Sequence, residues 1–553
     1  MPAGAHDLVF RDGFQRVADA PGSDAEAARF LAMATFGPNA ADVARLRAVG
    51  YRQWIEQQLS LPASLQRPEV EQAVIAAIPN PPGQLARLEI WMRNAVTGPD
   101  QLRQRIAWAL SQVFVTTYLQ SKLNADPGSL AELYDTFTRH AGGWFDADGA
   151  FHPGTYESLL GDVTRSPAMA KMLTYLRNRP GDPVLGTSPD ENYAREVLQL
   201  FSIGLVLRHP DFSPVLDRAG IPIPTYTQAE IGAYARVFTG LSYVGGFNSN
   251  PLGANWSPAS YQPLTCYAGR HDRASKVLLD YAGADAVPPQ HFVLPEDQAC
   301  ETDLAGGLGV IAGHPNVAPF IARQLIQRFT TSNPSPAYVA RIAAVFDGDA
   351  AGRRGDIGAV VSAILLDDEA RQGTAAAPAV FGKAREPLLK LTALYRRYDA
   401  RAQNGLYGRP NYAAYLQTPQ GAPSVFNYYS PDYLPPGELA AAHLVAPELQ
   451  IVNESSVFSA ANDLMTQVRR TIGSANLKPT QVGLDLSPLL PLAGNPAALV
   501  ARLDADLMYG AMSAPMRATL ESLVAALPAG DPMRRVRTSL HVVLASPEFA
   551  VQK

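Results

Sequence analysis

The chain has 553 residues, a formal net charge of -5 and a pI near 6.0; 47% of residues are hydrophobic and 18% charged. This is a globular composition, long enough for one large core or several domains, and it excludes extended disorder. The mild acidity argues against a nucleic-acid binder, which carries a basic patch or a high pI.

No apolar run approaches the roughly 18–20 residues needed to cross a bilayer. The opening "MPAGAHDLVFRDGFQRVADA" lacks the basic start and apolar block of a secretory leader, which leaves a cytoplasmic place as one of three expectations. An export route invisible here and a missing leader are the other two.

After an N-terminal extension (1–22), the elements read almost entirely as helix. "SDAEAARFLAMATFG" (23–37) opens on a Ser or Asp cap, carries Glu26 in its first turn and stops at Gly37. Its apolar residues recur at helical spacing. "NAADVARLRAVG" and "YRQWIEQQLSLP" repeat the pattern, and "PGQLARLEIWMRNAVTG" and "PDQLRQRIAWALSQVFVTT" each begin near a proline suited to a first helical turn. Further helices are expected at 155–162, 167–178, 188–203, 227–238, 301–313, 316–330, 335–347, 355–367 and 383–399. Others fall near 446–471, 494–507, 513–526 and 531–545. Strand-like alternation is nearly absent, so the expected class is all-α, a large multi-helical single domain over 23–550. Two irregular insertions, about 241–300 and 402–437, combine Gly, Pro and Asn with aromatics. They are either walls of a cleft or plugs between helices.

Cys266 and Cys300 flank one irregular segment. Paired, they would close a loop of about 35 residues and add about 3–4 kcal/mol; unpaired, they are two unrelated buried thiols. Their separation is not a zinc-site spacing.

Strong catalytic motifs are missing: there is no phosphate-cradling loop, HExxH, G-x-S-x-G or EF-hand loop. Two polar segments remain. In "DENYAREVLQLFSIGL" (190–205), Glu191, Asn192, Arg195, Glu196 and Gln199 gather on one side of a helix, opposite Tyr193, Val197, Leu198 and Phe201. That side is either a solvated face or the wall of a hydrogen-bonded network; Asn192, a poor helix former, beside two carboxylates and a guanidinium suits the network. In "GRHDRASK" (269–276), His271 could serve as general base or ligand, oriented by Asp272, with Lys276 supplying positive charge. Alternatively Asp272 caps a helix over 273–281 and His271 merely precedes it. A metal site joining His271 to Asp272 or Glu196 has no ligand spacing to support it, and the sequence leaves any cofactor unknown.

The segments "AARFLAMATFGP", "LRQRIAWALSQVFV", "DENYAREVLQLFSIGL", "YTQAEIGAYARVFTGL", "HDRASK", "HPNVAPFIARQLIQRFTTSNPSPAYVARIAAVF", "GKAREPLLKLTALYR" and "PSVFNYYSPDY" occur in an order that resembles the bacterial family of domain-of-unknown-function 1800 (DUF1800). The resemblance spans about 25–550. It implies a helical protein, often exported to the periplasm or beyond, whose gene often neighbours a DUF1501 protein resembling phosphatases and sulfatases. The family's "ENYARE" and "HD…K" blocks match Glu191 to Glu196 and His271, Asp272 and Lys276, which moves both segments towards function. Ala274 stands where the family usually has Gly.

Two functions are therefore expected. One is a hydrolase or lyase of an extracellular glycan or related polymer, with Glu196, His271 and Glu191 as acid/base groups. Asn192, Arg195, Gln199, Asp272 and Lys276 would bind substrate. The other is a non-catalytic scaffold or maturation partner of a DUF1501 protein.

Overall fold

Helices begin where a short polar cap meets a proline or an acidic first turn. A computed structural model describes residues 19–76, 83–251, 257–280, 291–375 and 379–553; most of the expected 1–22 extension lies outside them. Ser23 accepts the amide of Glu26 and starts the helix Asp24–Ala34. Thr155 and Thr227 form reciprocal capping boxes at the heads of Tyr156–Thr164 and Gln228–Val237. Asp126, Ser166 and Ser335 each cap a helix whose next residue is proline.

About 52% of the chain is helical. One contiguous apolar cluster runs from Ala27 to Phe549. At its centre Phe36 meets Trp91 edge-on at 5.3 Å, and Trp91 meets Trp108 at 5.3 Å. The helix Gln101–Ser111, which carries Trp108, is buried along its whole length and packs on Pro127–His140. Val317–Phe329 packs on Pro336–Asp347, and Glu454–Arg469 on Pro532–Ala545. Among the described residues no single helix is long and apolar enough to cross a membrane.

The architecture is mostly helical rather than all-α. Four two-stranded antiparallel pairs are present among the described residues. One of them, Lys276–Asp280 with His291–Leu294, replaces the helix expected over 273–281. The reason is local: Asp272 accepts the amide of Ala274, two residues on, in an Asx turn rather than a helix cap. The apolar run Val277–Leu279 then extends as a strand, with Leu278 and Leu279 buried. Several helices are shorter than expected, among them the one expected over 383–399, which runs Pro387–Arg397 while Lys383–Ala384 pairs as a strand with Val551–Gln552. Pro167–Met172 ends before Thr174, which takes a φ of 61°, and Glu454–Arg469 is preceded by a separate 3-10 turn, Pro447–Gln450.

Distant segments are tied together by a fully buried carboxylate. Glu386 Oε2 accepts hydrogen bonds from Trp108 Nε1 (2.8 Å), Gln112 Nε2 (3.0 Å) and Gln417 Nε2 (2.8 Å). Arg105 stands 3.7 Å from its other oxygen and donates to the Arg328 carbonyl at 2.6 Å. Lys383 donates to the same carbonyl and pairs with buried Glu448 at 2.9 Å. Tyr429 closes the ring by donating to Gln112 Oε1 at 2.8 Å.

Removing one member of a buried charged network leaves the others uncompensated, at about 3–5 kcal/mol. Glu386→Ala is therefore expected to lower the urea midpoint sharply, whereas Glu454→Ala, at an exposed helix start, should shift it little. Parallel urea titrations followed by circular dichroism measure the difference.

Candidate functional site

The first polar segment is fixed by one buried aromatic. Tyr193 stacks on Tyr175 at 4.2 Å, meets Phe238 edge-on at 4.8 Å and shares a 2.6 Å hydrogen bond with Thr164. With Tyr193 held inward, the α-helix Asn192–Glu196 presents its polar side outward and then widens into a π-helix, Val197–Ser202. The amide of Ile203 reaches back to the Leu198 carbonyl at 3.1 Å, and the Ser202 hydroxyl donates to the Val197 carbonyl. Such π turns are rare and concentrate at functional sites.

The structure gives the polar residues of this segment four different settings. Glu191, Arg195 and Gln228 form a half-exposed triangle. Gln228 donates to Glu191 at 2.8 Å, and Arg195 reaches Gln228 at 3.2 Å and Glu191 at 3.4 Å. Asn192 is exposed; its side chain donates to Thr174 at 3.4 Å, and Thr174 donates to Asp190. Gln199 lies half-buried in the π turn.

Glu196 stands apart. It is 8% exposed, and its buried Oε2 has no hydrogen-bond partner in the protein. Burial pushes its pKa up, and the Arg195 guanidinium only partly opposes this. The hydroxyl of Tyr226 is likewise buried without a partner. Its pKa is raised to about 12, mainly by burial, lowered somewhat by Arg195 and raised further by Glu196, which places all three groups in one electrostatic neighbourhood. Tyr226 was not legible as a site residue, because "PTYTQAE" reads simply as the approach to a capped helix.

The second segment is organised around a residue outside it. Asp303, buried in the helix Cys300–Gly313, accepts from Lys276 Nζ at 2.6 Å and lies 3.0 Å from His271 Nε2. Lys276 also donates to the carbonyls of Asp272 (2.6 Å) and Ala274 (3.0 Å). The other ring nitrogen of His271 faces the Thr239 carbonyl oxygen at 3.0 Å. Gly240 permits this approach: its φ is +89°, and a Cβ there would stand 3.2 Å from the Cβ of His271. Burial opposes the charge of Asp272, but the Arg236 hydrogen bond (2.9 Å), its charge and the Ala274 amide prevail and hold the pKa below its ordinary value. Cys266 and Cys300 are joined as a disulfide, Cα to Cα 6.1 Å, beside this cluster.

His271, Asp272 and Lys276 are thus brought together, and Glu191, Arg195 and Glu196 lie on one helical turn. The two sets share no hydrogen bond or ion pair among the described residues. Asp303 was the missing partner; "ETDLAGG" carries no local mark distinguishing it from an acidic first turn.

The two clusters respond oppositely to neutralisation. Lys276→Met strands the buried Asp303 carboxylate and should cost about 3–5 kcal/mol. Glu196→Gln removes a carboxylate whose folded pKa is raised, so the stability Glu196 contributes is full below about pH 4.3 and lost as pH rises through the folded value. At pH 7 this substitution should leave the melting temperature unchanged or higher. Thermal scans of both variants at pH 4 and pH 7 test this.

A family model described as protein of unknown function (DUF1800) matches residues 29–551. No curated protein and no solved structure matches the chain. The ordered segments and the match across nearly the whole length give one conclusion: the chain belongs to the DUF1800 family.

Proposed function

We propose that the protein is a hydrolase or lyase acting by carboxylate acid/base chemistry at Glu196, on an extracellular glycan or related polymer met in the periplasm or outside the cell. The observation carrying this reading is the buried, unpartnered Glu196 oxygen with its raised pKa, set at an α-to-π transition beside Arg195 and Tyr226. A carboxyl that burial makes a weaker acid holds its proton to a higher pH than an ordinary glutamate, which suits it to donating a proton to a leaving group. Arg195 offers a charge to bind or polarise substrate, and Tyr226, held neutral, a hydrogen-bond donor. Glu191, Asn192, Gln199 and Gln228 extend the polar face. Tyr243, Phe247, Tyr407, Tyr415, Tyr428 and Tyr429 of the irregular segments are buried and plug the core, and the His271–Asp303–Lys276 cluster, with Asp272, holds the neighbouring backbone in place.

A second reading has its own support. Residues 205–224 form an arm joined by the bridges Val206–Pro224, Arg208–Pro214 and Leu216–Pro222, and Leu205, Leu216 and Ile221 are exposed on it. Such side chains suit a scaffold or maturation partner that docks a DUF1501 protein.

Screening glycan and polymer substrates with wild type and Glu196→Gln separates the two. Under the enzyme reading, Glu196→Gln lowers turnover about 10²–10⁴-fold with the fold intact. The alkaline limb of the wild-type profile lies above the ordinary glutamate range, because activity falls as Glu196 loses its proton. Unchanged turnover removes Glu196 from the chemistry. Co-purification with the DUF1501 protein, lost on Leu216→Asp/Ile221→Asp but not on Glu196→Gln, favours the scaffold.

A further inference from the structure

An imidazole and a main-chain carbonyl, hydrogen-bonded to each other, lie beside the disulfide. One ligand atom each from Cys266, His271 and Cys300 lie within 4.8 Å of one another. All three surround the Thr239 carbonyl oxygen. His271 Nδ1 stands 3.0 Å from it, Cys300 Sγ 3.7 Å and Cys266 Sγ 3.9 Å. The edges of a tetrahedral zinc site are about 3.4 Å for nitrogen to oxygen and about 3.6 Å for sulfur to oxygen, from bond lengths of about 2.0–2.3 Å.

His271 also has the support expected of a ligand. Its far nitrogen meets the Asp303 carboxylate at 3.0 Å, and Lys276 anchors that carboxylate at 2.6 Å. This carboxylate–histidine arrangement fixes ring orientation and raises ligand basicity. Asp303 Oδ1 is buried with no partner, so the carboxylate has capacity to spare. His271 and Cys300 are buried and Cys266 is partly exposed, which leaves one side for a metal to enter.

We propose that Cys266, Cys300, His271 Nδ1 and the Thr239 carbonyl form a redox-gated site for a thiolate-preferring divalent cation such as Zn²⁺. In the oxidised chain the two sulfurs are bonded to each other and the site is closed. A dithiol reductant transfers two electrons and two protons, breaks the S–S bond, leaves two thiols and becomes a disulfide itself. Zinc then displaces both thiol protons and any proton on Nδ1. The two thiolates balance the charge of the metal, so the buried site is neutral. The ring keeps its hydrogen on Nε2, which donates to the Asp303 carboxylate. The site is independent of the reading of Glu196.

The test uses the full chain and Zn²⁺ alone. Oxidised chain, chain reduced with a phosphine, and reduced Cys266→Ser/Cys300→Ser are dialysed against zinc, and bound metal is measured. Co²⁺ in place of zinc reports thiolate coordination through its charge-transfer band. The expected result is one equivalent on the reduced chain and none on the other two. Asp303→Asn should weaken binding about 10–100-fold, and His271→Ala at least as much. No more zinc on the reduced chain than on the double-serine variant, equal zinc on the oxidised chain, or binding indifferent to both His271 and Asp303 overturns the proposal. So does loss of the helical circular dichroism signal on reduction.

Discussion

The three hydrogen bonds accepted by Glu386 Oε2 are the interaction on which the remaining structure hangs. A carboxylate with no exposure is tolerable only when donors and counter-charges surround it. Here the donors come from Trp108 and Gln112 on one side and Gln417 on the other, with Arg105 as the near counter-charge. These contacts set the helix Gln101–Ser111 against the head of Pro387–Arg397 and the turn after Tyr412–Tyr415. Around them Arg328, Lys383, Glu448 and Tyr429 extend the polar centre through the apolar core.

That centre also gives a physical reason for the order of segments in the sequence. "LRQRIAWALSQVFV" supplies Arg105, Trp108 and Gln112; "FIARQLIQRF" supplies Arg328; "GKAREPLL" supplies Lys383 and Glu386; "PSVFNYYSP" supplies Tyr429. Each looks alone like an amphipathic helix or a loop with stray charges. Joined, they are one network, and the two polar segments expected to hold the chemistry lie outside it.

Helix starts were legible because Ser-Pro, Asp-Pro and Thr-x-x-Glu state their own capping chemistry within four residues. The strand at Lys276–Asp280 was misread as helix because Asp272 caps and Asx turns share a residue type, and only the partner strand decides between them. The Glu191–Glu196 residues share one helical side, as their period predicts, but nothing in the period distinguishes Glu196, whose buried, partnerless oxygen shares an electrostatic neighbourhood with Tyr226, thirty residues later. Similarly, His271 and Lys276 could be paired with Asp303 only once the helix Cys300–Gly313 was placed beside Thr239. The cysteines carried no metal-ligand spacing, because Cys266 ends a strand, His271 follows a 3-10 turn, Cys300 opens a helix and the fourth group is the main chain of Thr239.

The sequence separation inside the Glu386 network has a consequence for how the protein is made. Gln112 and its acceptor are 274 residues apart. At a synthesis rate of about 5–20 residues per second, the donors leave the ribosome about 15–55 s before Glu386 follows. Over that interval Arg105, Trp108 and Gln112 have hydrogen-bonding and charged groups with no native destination. The N-terminal helices therefore cannot complete their packing as they emerge.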